Sequence, residues 1–140
     1  GYSGTPLWKK LGFKPGMKIC VLNPPAHYAS LIDGPNDWVM VRQADALHVF
    51  ITETVELRVI EIHSLLMPPA AMLWVSWPKK TSPLSKGLSE DDIRNAARAC
   101  GLVDIQVCAM DMDWSGLKLT RRKHARTYNG KSARDSLSRL

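Results

Sequence analysis

Residues 47–77 read LHVFITETVELRVIEIHSLLMPPAAMLWVSW, and two changes of period within them decide the fold. Leu47-His48-Val49-Phe50-Ile51 is a short, nearly continuous apolar run, the pattern of a strand covered on both faces. From Thr52 the period becomes helical. Val55, Val59, Ile62 and Leu66 fall at i, i+4, i+7 and i+11, a stripe predicted to face a sheet. Glu53 and Glu56 put acid in the first turn of this helix, and Pro68-Pro69 ends it. Met72-Leu73-Trp74-Val75-Ser76-Trp77 is a second buried strand, stopped by Pro78. Strand, helix and strand within about thirty residues form a βαβ unit, and such a crossover makes its two strands parallel.

The flanks extend the same logic. Upstream, Thr5 to Gly12 reads as one short helix, with Thr5 as cap, Pro6 at its first position and Gly12 at its left-handed close. Lys14-Pro15-Gly16 turns the chain into a strand at Lys18-Ile19-Cys20-Val21-Leu22-Asn23, which Pro24-Pro25 stops. A brief helix follows from about Ala26 to Ile32, then a loop, then a strand at Trp38-Val39-Met40-Val41. Downstream of a polar loop over 79–88, Ser89 with Asp92 is a capping-box variant. Ile93, Ala96, Ala97 and Cys100 make that helix's buried stripe, and Gly101 closes it. Val103–Cys108 and Gly116–Thr120, joined through 111–115, read as an antiparallel pair. The fold class is α/β: a three-layer, Rossmann-like, mainly parallel sheet with a C-terminal antiparallel strand. The right-handed crossover rule gives the expected strand order 2-1-3-4-6-5.

Net charge is +6 over 140 residues, but it is unevenly placed. Residues 121–140 hold seven of the nineteen Lys and Arg and one acid, Asp135, which leaves twelve bases and twelve acids in 1–120. The expected organisation is therefore one neutral domain over 1–120 and a basic, flexible tail over 121–140. A neutral domain weakens a nucleic-acid reading, which wants a basic stripe on a folded face. Cys20, Cys100 and Cys108 lie in apolar patterns without CxxC spacing, as in a reducing compartment. No apolar run approaches the ~18 residues a membrane span needs, and the first residues are not a secretory leader. A cytoplasmic location without membrane contact is the expectation.

The strand–helix order with its closing hairpin resembles a shortened class I methyltransferase fold. Lys14-Pro15-Gly16-Met17-Lys18-Ile19 looks like the approach to that fold's first strand, and Leu73-Trp74-Val75-Ser76 like its late central strand. A closer resemblance spans nearly all of residues 1–123. Gly1-Tyr2-Ser3-Gly4-Thr5-Pro6-Leu7, Trp74-Val75-Ser76-Trp77-Pro78-Lys79-Lys80, Gly101-Leu102-Val103-Asp104 and Trp114-Ser115-Gly116-Leu117-Lys118 are similar to motifs of an uncharacterised bacterial domain family. That resemblance implies a fold and a bacterial origin, without an activity.

In an open parallel sheet a ligand binds outside the carboxyl ends of the strands, near the switch point. Here that rim comprises Asn23, Thr52, Glu53, Ser76, Trp77, Lys79, Lys80 and the 111–115 loop with Trp114. An apolar floor of Trp77 and Trp114 ringed by polar groups would suit a small anionic or planar ligand. The plainer reading is that both indoles pack and the lysines are solvated. The methyltransferase pattern would put a glycine-rich turn after the first strand and a ribose-binding acid after the second. Asn23-Pro24-Pro25-Ala26 and Arg42-Gln43 stand there instead, so no cofactor is expected and the methyl donor is not expected to bind. Neither GxGxxG nor GxxxxGK[ST] occurs. His27, His48, His63 and His124 are scattered, with His27 the one near the rim, so no metal site and no catalytic residue is assigned. Glu53 reads as an acid or base only second to its place in a helix's first turn.

The leading functional expectation is a Rossmann-like domain that binds a small ligand or a protein at the carboxyl rim without methyl transfer. A divergent methyltransferase-like enzyme is the alternative. A nucleic-acid-associated protein acting through the tail from Arg121 is a third, less favoured because that segment has only Tyr128 to stack on bases.

Overall fold

The computed structural model describes residues 4–34 and 37–122. Six strands form one sheet: β1 (Lys18–Leu22), β2 (Asp37–Trp38), β3 (Ala46–Phe50), β4 (Met72–Pro78), β5 (Leu102–Ala109) and β6 (Trp114–Arg121). Their spatial order is β2-β1-β3-β4-β6-β5, the order expected from the sequence. β2, β1, β3 and β4 are parallel neighbours, and β6 runs antiparallel to both β4 and β5. Among the described residues α1 (Leu7–Lys10) precedes the sheet, and α2 (Tyr28–Ile32), α3 (Arg58–Leu66) and α4 (Glu90–Ala99) lie between its strands. The architecture is a three-layer α/β sandwich of Rossmann-like build.

Alternate residues of a strand point to opposite faces, so the central strands feed two cores. On one face Leu47, Val49, Leu73, Val75, Trp77, Leu117 and Leu119 meet Ile60 of α3 and Ile93 and Ala97 of α4. On the other, Ile19, Ala46, Phe50, Trp74 and Trp114 meet Leu11 and Phe13 after α1 and Tyr28 and Ile32 of α2. All five residues of β3 are buried, which explains why its sequence shows no alternation.

The ends of the elements follow their local chemistry. Ser89 Oγ accepts from the Asp92 N–H while an Asp92 carboxylate oxygen accepts from the Ser89 N–H, the reciprocal cap read from the sequence. Gly101 ends α4 at φ 85°, a conformation without strain only for glycine. α1 departs from expectation: Pro6 is its N-cap, and no side chain, Thr5 included, caps it.

The stripe on α3 also differs from its reading. Val55 is 62% exposed, Ile62 47% and Leu66 38%, while Ile60, Ser64 and Met67 are buried. The segment begins as a 3-10 turn over Thr54–Leu57 before becoming α-helical at Arg58. A 3-10 turn advances about 120° per residue against about 100° in an α-helix, so the register rotates before the helix proper starts. The face that packs is Leu57, Ile60, Ser64 and Met67, with Val59 of the expected stripe partly buried beside it, and the serine in it hides the period.

β2 is shorter than the strand expected over 38–41. The chain leaves the ladder after Trp38 and makes a 3-10 turn at Val41–Gln43. β5 carries a bulge between Asp104 and Gln106, which sets Ile105 outside the register with β6. Arg121, counted by charge with the C-terminal segment, ends β6. Its guanidinium donates to the carbonyls of Ser64 and Met67 at 2.6 and 3.2 Å, satisfying the carboxyl end of α3. The remaining basic residues, from Lys123, lie outside the described residues, as do Gly1, Tyr2 and Ser3 of the first motif. Among the described residues, no helix is long and apolar enough to cross a membrane.

Candidate functional site

The chain runs from β1 outward to β2 and returns to β3 on the other side of β1, so the switch point lies between the carboxyl ends of β1 and β3. Two turns border it. Asn23, directly after β1, stands at φ 56°, in the left-handed region that Asn tolerates better than most residues. The expectation that Asn-Pro-Pro abolishes the conformational freedom of a glycine turn is thus half met. Pro24 and Pro25 have no N–H to offer, yet the left-handed step itself is made, by Asn23. Replacing Asn23 with Val, whose branched Cβ resists this region, is expected to cost about 2 kcal/mol of stability, and Asn23→Gly well under about 0.5 kcal/mol. Urea unfolding of the two variants measures the difference.

The second turn follows β3. Glu56 Oε1 accepts the backbone N–H groups of Thr52 and Glu53 and the Thr52 hydroxyl, each at 3.0 Å. Among the described residues Glu56 Oε2 accepts a single long bond, 3.4 Å from Asn23 Nδ2, which ties the two turns together. Burial alone would raise the Glu56 carboxyl, but the donors of Thr52 and Glu53, with Lys86 nearby, hold it below the usual value. Glu53 is exposed and lies 3.5 Å from Lys86 Nζ. The crevice is therefore edged by carboxylates, which disfavours the anionic ligand suggested by the sequence.

The other half of the rim comes from β4 and the β5–β6 hairpin. The Lys79 backbone N–H donates to Asp113 O at 2.7 Å, and Lys79 Nζ donates to Asp111 O at 2.5 Å. Ser82 Oγ donates to Asp113 Oδ1 at 2.8 Å. Asp111 Oδ1 accepts the Asp113 and Trp114 N–H groups, both at 2.8 Å, and Asp111 Oδ2 lies 2.9 Å from His27 Nε2. Burial would raise Asp111 too, but His27 and those two N–H groups keep it below the ordinary carboxylate value.

Asn23, Thr52, Glu53 and Lys79 thus stand at the rim, with Lys80 exposed beside Lys79. Ser76, Trp77 and Trp114 do not line it with their side chains. Trp77 is buried among the α3/α4-side core, and Trp114 is buried on the opposite face, its ring 5.0 Å from that of Phe50. The expected floor of two indoles is not formed, because the period-2 geometry of β4 and β6 sends them to opposite sides of the sheet. Ser76 Oγ is wholly buried, 2.7 Å from His48 Nε2, and His48 Nδ1 lies 2.9 Å from Tyr28 Oη.

Two groupings escaped the sequence reading. One is this buried Tyr28–His48–Ser76 chain, in which burial depresses His48 to about 3 and pushes Tyr28 above its usual value. The other is the His27–Asp111 pair, whose members are 84 residues apart. His27 was placed near the rim and Asp111 in the loop, but nothing in the spacing joins them. No group of His, Cys, Asp and Glu suited to a metal ion occurs among the described residues.

No family model and no curated protein matches the chain. Solved structures do. A SAM-dependent methyltransferase from Aquifex aeolicus superposes with a TM-score of 0.60 at 15% identity, over 81% of this chain and 86% of that one. Magnesium protoporphyrin IX methyltransferase of Synechocystis, solved with SAM bound, gives 0.56 at 13% identity, over 82% and 76%. The methylase of ribosomal protein L11 from Lactobacillus delbrueckii gives 0.54 at 10% identity, over 81% and 74%. The fold is that of a shortened class I methyltransferase; at such identities the likeness is one of fold.

Proposed function

We propose that this chain is a divergent methyltransferase-like enzyme that holds an adenosyl methyl donor in the crevice between the Asn23 turn and the Thr52–Glu56 turn. The supporting observation is Asn23 itself: it makes, without glycine, the left-handed step after β1 at the switch point of this fold. Glu56 Oε2, with one long bond among the described residues, has acceptor capacity for the ligand's hydroxyl or ammonium donors. The donor set therefore fits a cationic, hydroxyl-bearing ligand better than a phosphate. When bound, such a donor supplies an electrophilic methyl group. This chain's residues contribute the shape of the turn, an acceptor carboxylate and a negative edge.

A second reading keeps the rim as a ligand-binding surface without transfer. It is favoured by the two prolines after Asn23, which cannot donate hydrogen bonds, and by the stretch Val39–Gln43, which offers no carboxylate after β2.

Calorimetric titration of the full chain with S-adenosylmethionine and S-adenosylhomocysteine separates the two. Saturable binding is expected, retained in Asn23→Gly and weakened at least about tenfold in Asn23→Val and in Glu56→Gln, a change of about 1.4 kcal/mol. Absence of binding by the unaltered protein at millimolar ligand would remove the enzyme reading and leave the second.

A further inference from the structure

We propose that His27 is a proton-accepting catalytic residue at the rim, oriented by Asp111 so that its Nδ1 is bare, and that it serves a ligand bearing a phenol-type hydroxyl. The proposal deepens the reading above and rests on it for the placement of that ligand beside the switch point.

The geometry fixes a tautomer. Asp111 has one oxygen committed to two backbone N–H groups and the other to His27. A carboxylate only accepts, and Asp111 is held ionised by those same donors, so the ring must donate through Nε2. In a neutral imidazole that leaves Nδ1 as the basic nitrogen. Asp111 cannot easily turn away, because Lys79 binds its carbonyl and the hairpin around it. The His27 side chain is 49% exposed and reachable, whereas Asp111 beneath it is 26% exposed. Among the described residues His27 is the one histidine with a carboxylate partner. His48 has both ring nitrogens occupied in the core, and His63 Nδ1 donates to Val59 O of its own helix.

A base of this kind suits a proton that is held at neutral pH yet removable. Carboxylic acids arrive already ionised and need none. A phenolic hydroxyl, with an ordinary pKa of about 10, does need one. The step breaks the ligand's O–H bond, leaves the electron pair on oxygen and forms N–H at Nδ1. The imidazolium charge is balanced by Asp111, and the proton passes afterwards to water. Positioned proton transfer of this sort contributes roughly 10²–10⁴ in rate.

The test uses the full chain without any methyl donor, so its outcome is independent of whether that donor binds. Long-range proton–nitrogen spectra of labelled protein should show His27 protonated at Nε2 and bare at Nδ1. In Asp111→Asn the amide oxygen still serves the two backbone N–H groups, which turns the NH2 toward the ring, so the tautomer should reverse to Nδ1–H. That reversal reports the orienting hydrogen bond, and the proton-accepting role is read from the phenol titration. A bare Nε2 in the unaltered protein, or an unchanged tautomer in Asp111→Asn, overturns the assignment. Titration with p-nitrophenol at about pH 6, where the free compound is mostly un-ionised, should shift the His27 Nδ1 resonance and raise the phenolate absorption band above that of the same solution without protein. His27→Gln should lose that excess with its circular dichroism unchanged. No excess over the protein-free solution at millimolar p-nitrophenol, or an excess that persists in His27→Gln, overturns the proposal for phenols.

Discussion

At pH 5 the protein is expected to be about 2 kcal/mol less stable than at pH 6.5, because one buried histidine must be charged for the chain to unfold. His48 is wholly buried, stacked on Phe50 with ring centroids 4.3 Å apart, and bonded at both nitrogens. Burial lowers its folded-state value to about 3 from 6.5. The sign follows from proton binding: below 6.5 the unfolded chain takes up a proton that the folded chain refuses. The stability is therefore complete above 6.5 and drains away as pH falls toward 3, at about 1.4 kcal/mol per unit. Asp104, Asp111 and Glu56 are depressed carboxylates, whose contributions decline from about pH 5 downward, so the window from about 6.5 to 5 reports histidines, and comparison with a His48 variant singles out His48. The measurement is urea unfolding across that window for the unaltered chain and for His48→Gln, which keeps polar atoms between Tyr28 and Ser76 but does not titrate. The variant should be less stable at pH 7 and flatter below it. Equal pH slopes would show that His48 is not the group responsible.

Trp74→Ala should be the most damaging single truncation, removing about 3–5 kcal/mol from a domain whose total is about 5–15 kcal/mol. Trp74 is fully buried at the centre of β4, and its indole Nε1–H donates to Leu11 O at 2.9 Å. The ring lies over Gly116, where an added Cβ would come within 3.2 Å of Trp74 and 2.1 Å of the Met110 methyl. Truncation leaves a large hole between the sheet and the Leu11–Phe13 segment that covers it, and a buried carbonyl without its donor. Trp74→Phe refills most of the space and loses mainly the hydrogen bond, so about 1–2 kcal/mol is expected. Denaturant midpoints followed by circular dichroism compare the two. A loss below about 1 kcal/mol for Trp74→Ala would mean that the loop from Leu11 to Phe13 collapses into the hole.

Topology was largely legible because it rests on coarse signals: buried apolar runs at 47–51 and 72–77, prolines at 24–25 and 68–69, and a hairpin at the end. Each is set by burial and by backbone donors, which a sequence displays directly. The α3 stripe was not, since its rotation depends on four residues turning as a 3-10 helix, and Ser64 stands among the packed positions. The site was legible only as a rim. Asn23, Thr52, Glu53 and Lys79 follow from strand ends, but Ser76, Trp77 and Trp114 belong to strand ends whose alternation turns their side chains into the cores on the two faces of the sheet. His48 showed as a lone histidine in an apolar run, and only the fold brings Tyr28 and Ser76 to its two nitrogens. Pairing His27 with Asp111 requires the segment after β1 to meet the turn of the β5–β6 hairpin across the carboxyl ends of the intervening strands, a long-range event with no local signature.

The bulge at Ile105 matters beyond its own strand. β5 is an outer strand of the sheet, eight residues long, with Ile105 and Val107 about half exposed, and an unbroken strand of that kind is a template for another chain. One unmatched residue at its middle bends the strand and throws the unpaired N–H and C=O groups on either side out of step. A second molecule laid against this border can align with the segment before Ile105 or with the segment after it, but not with both. A bulge in the middle of an exposed border strand is one of the general ways in which such an edge is blunted against joining into a continuous ribbon.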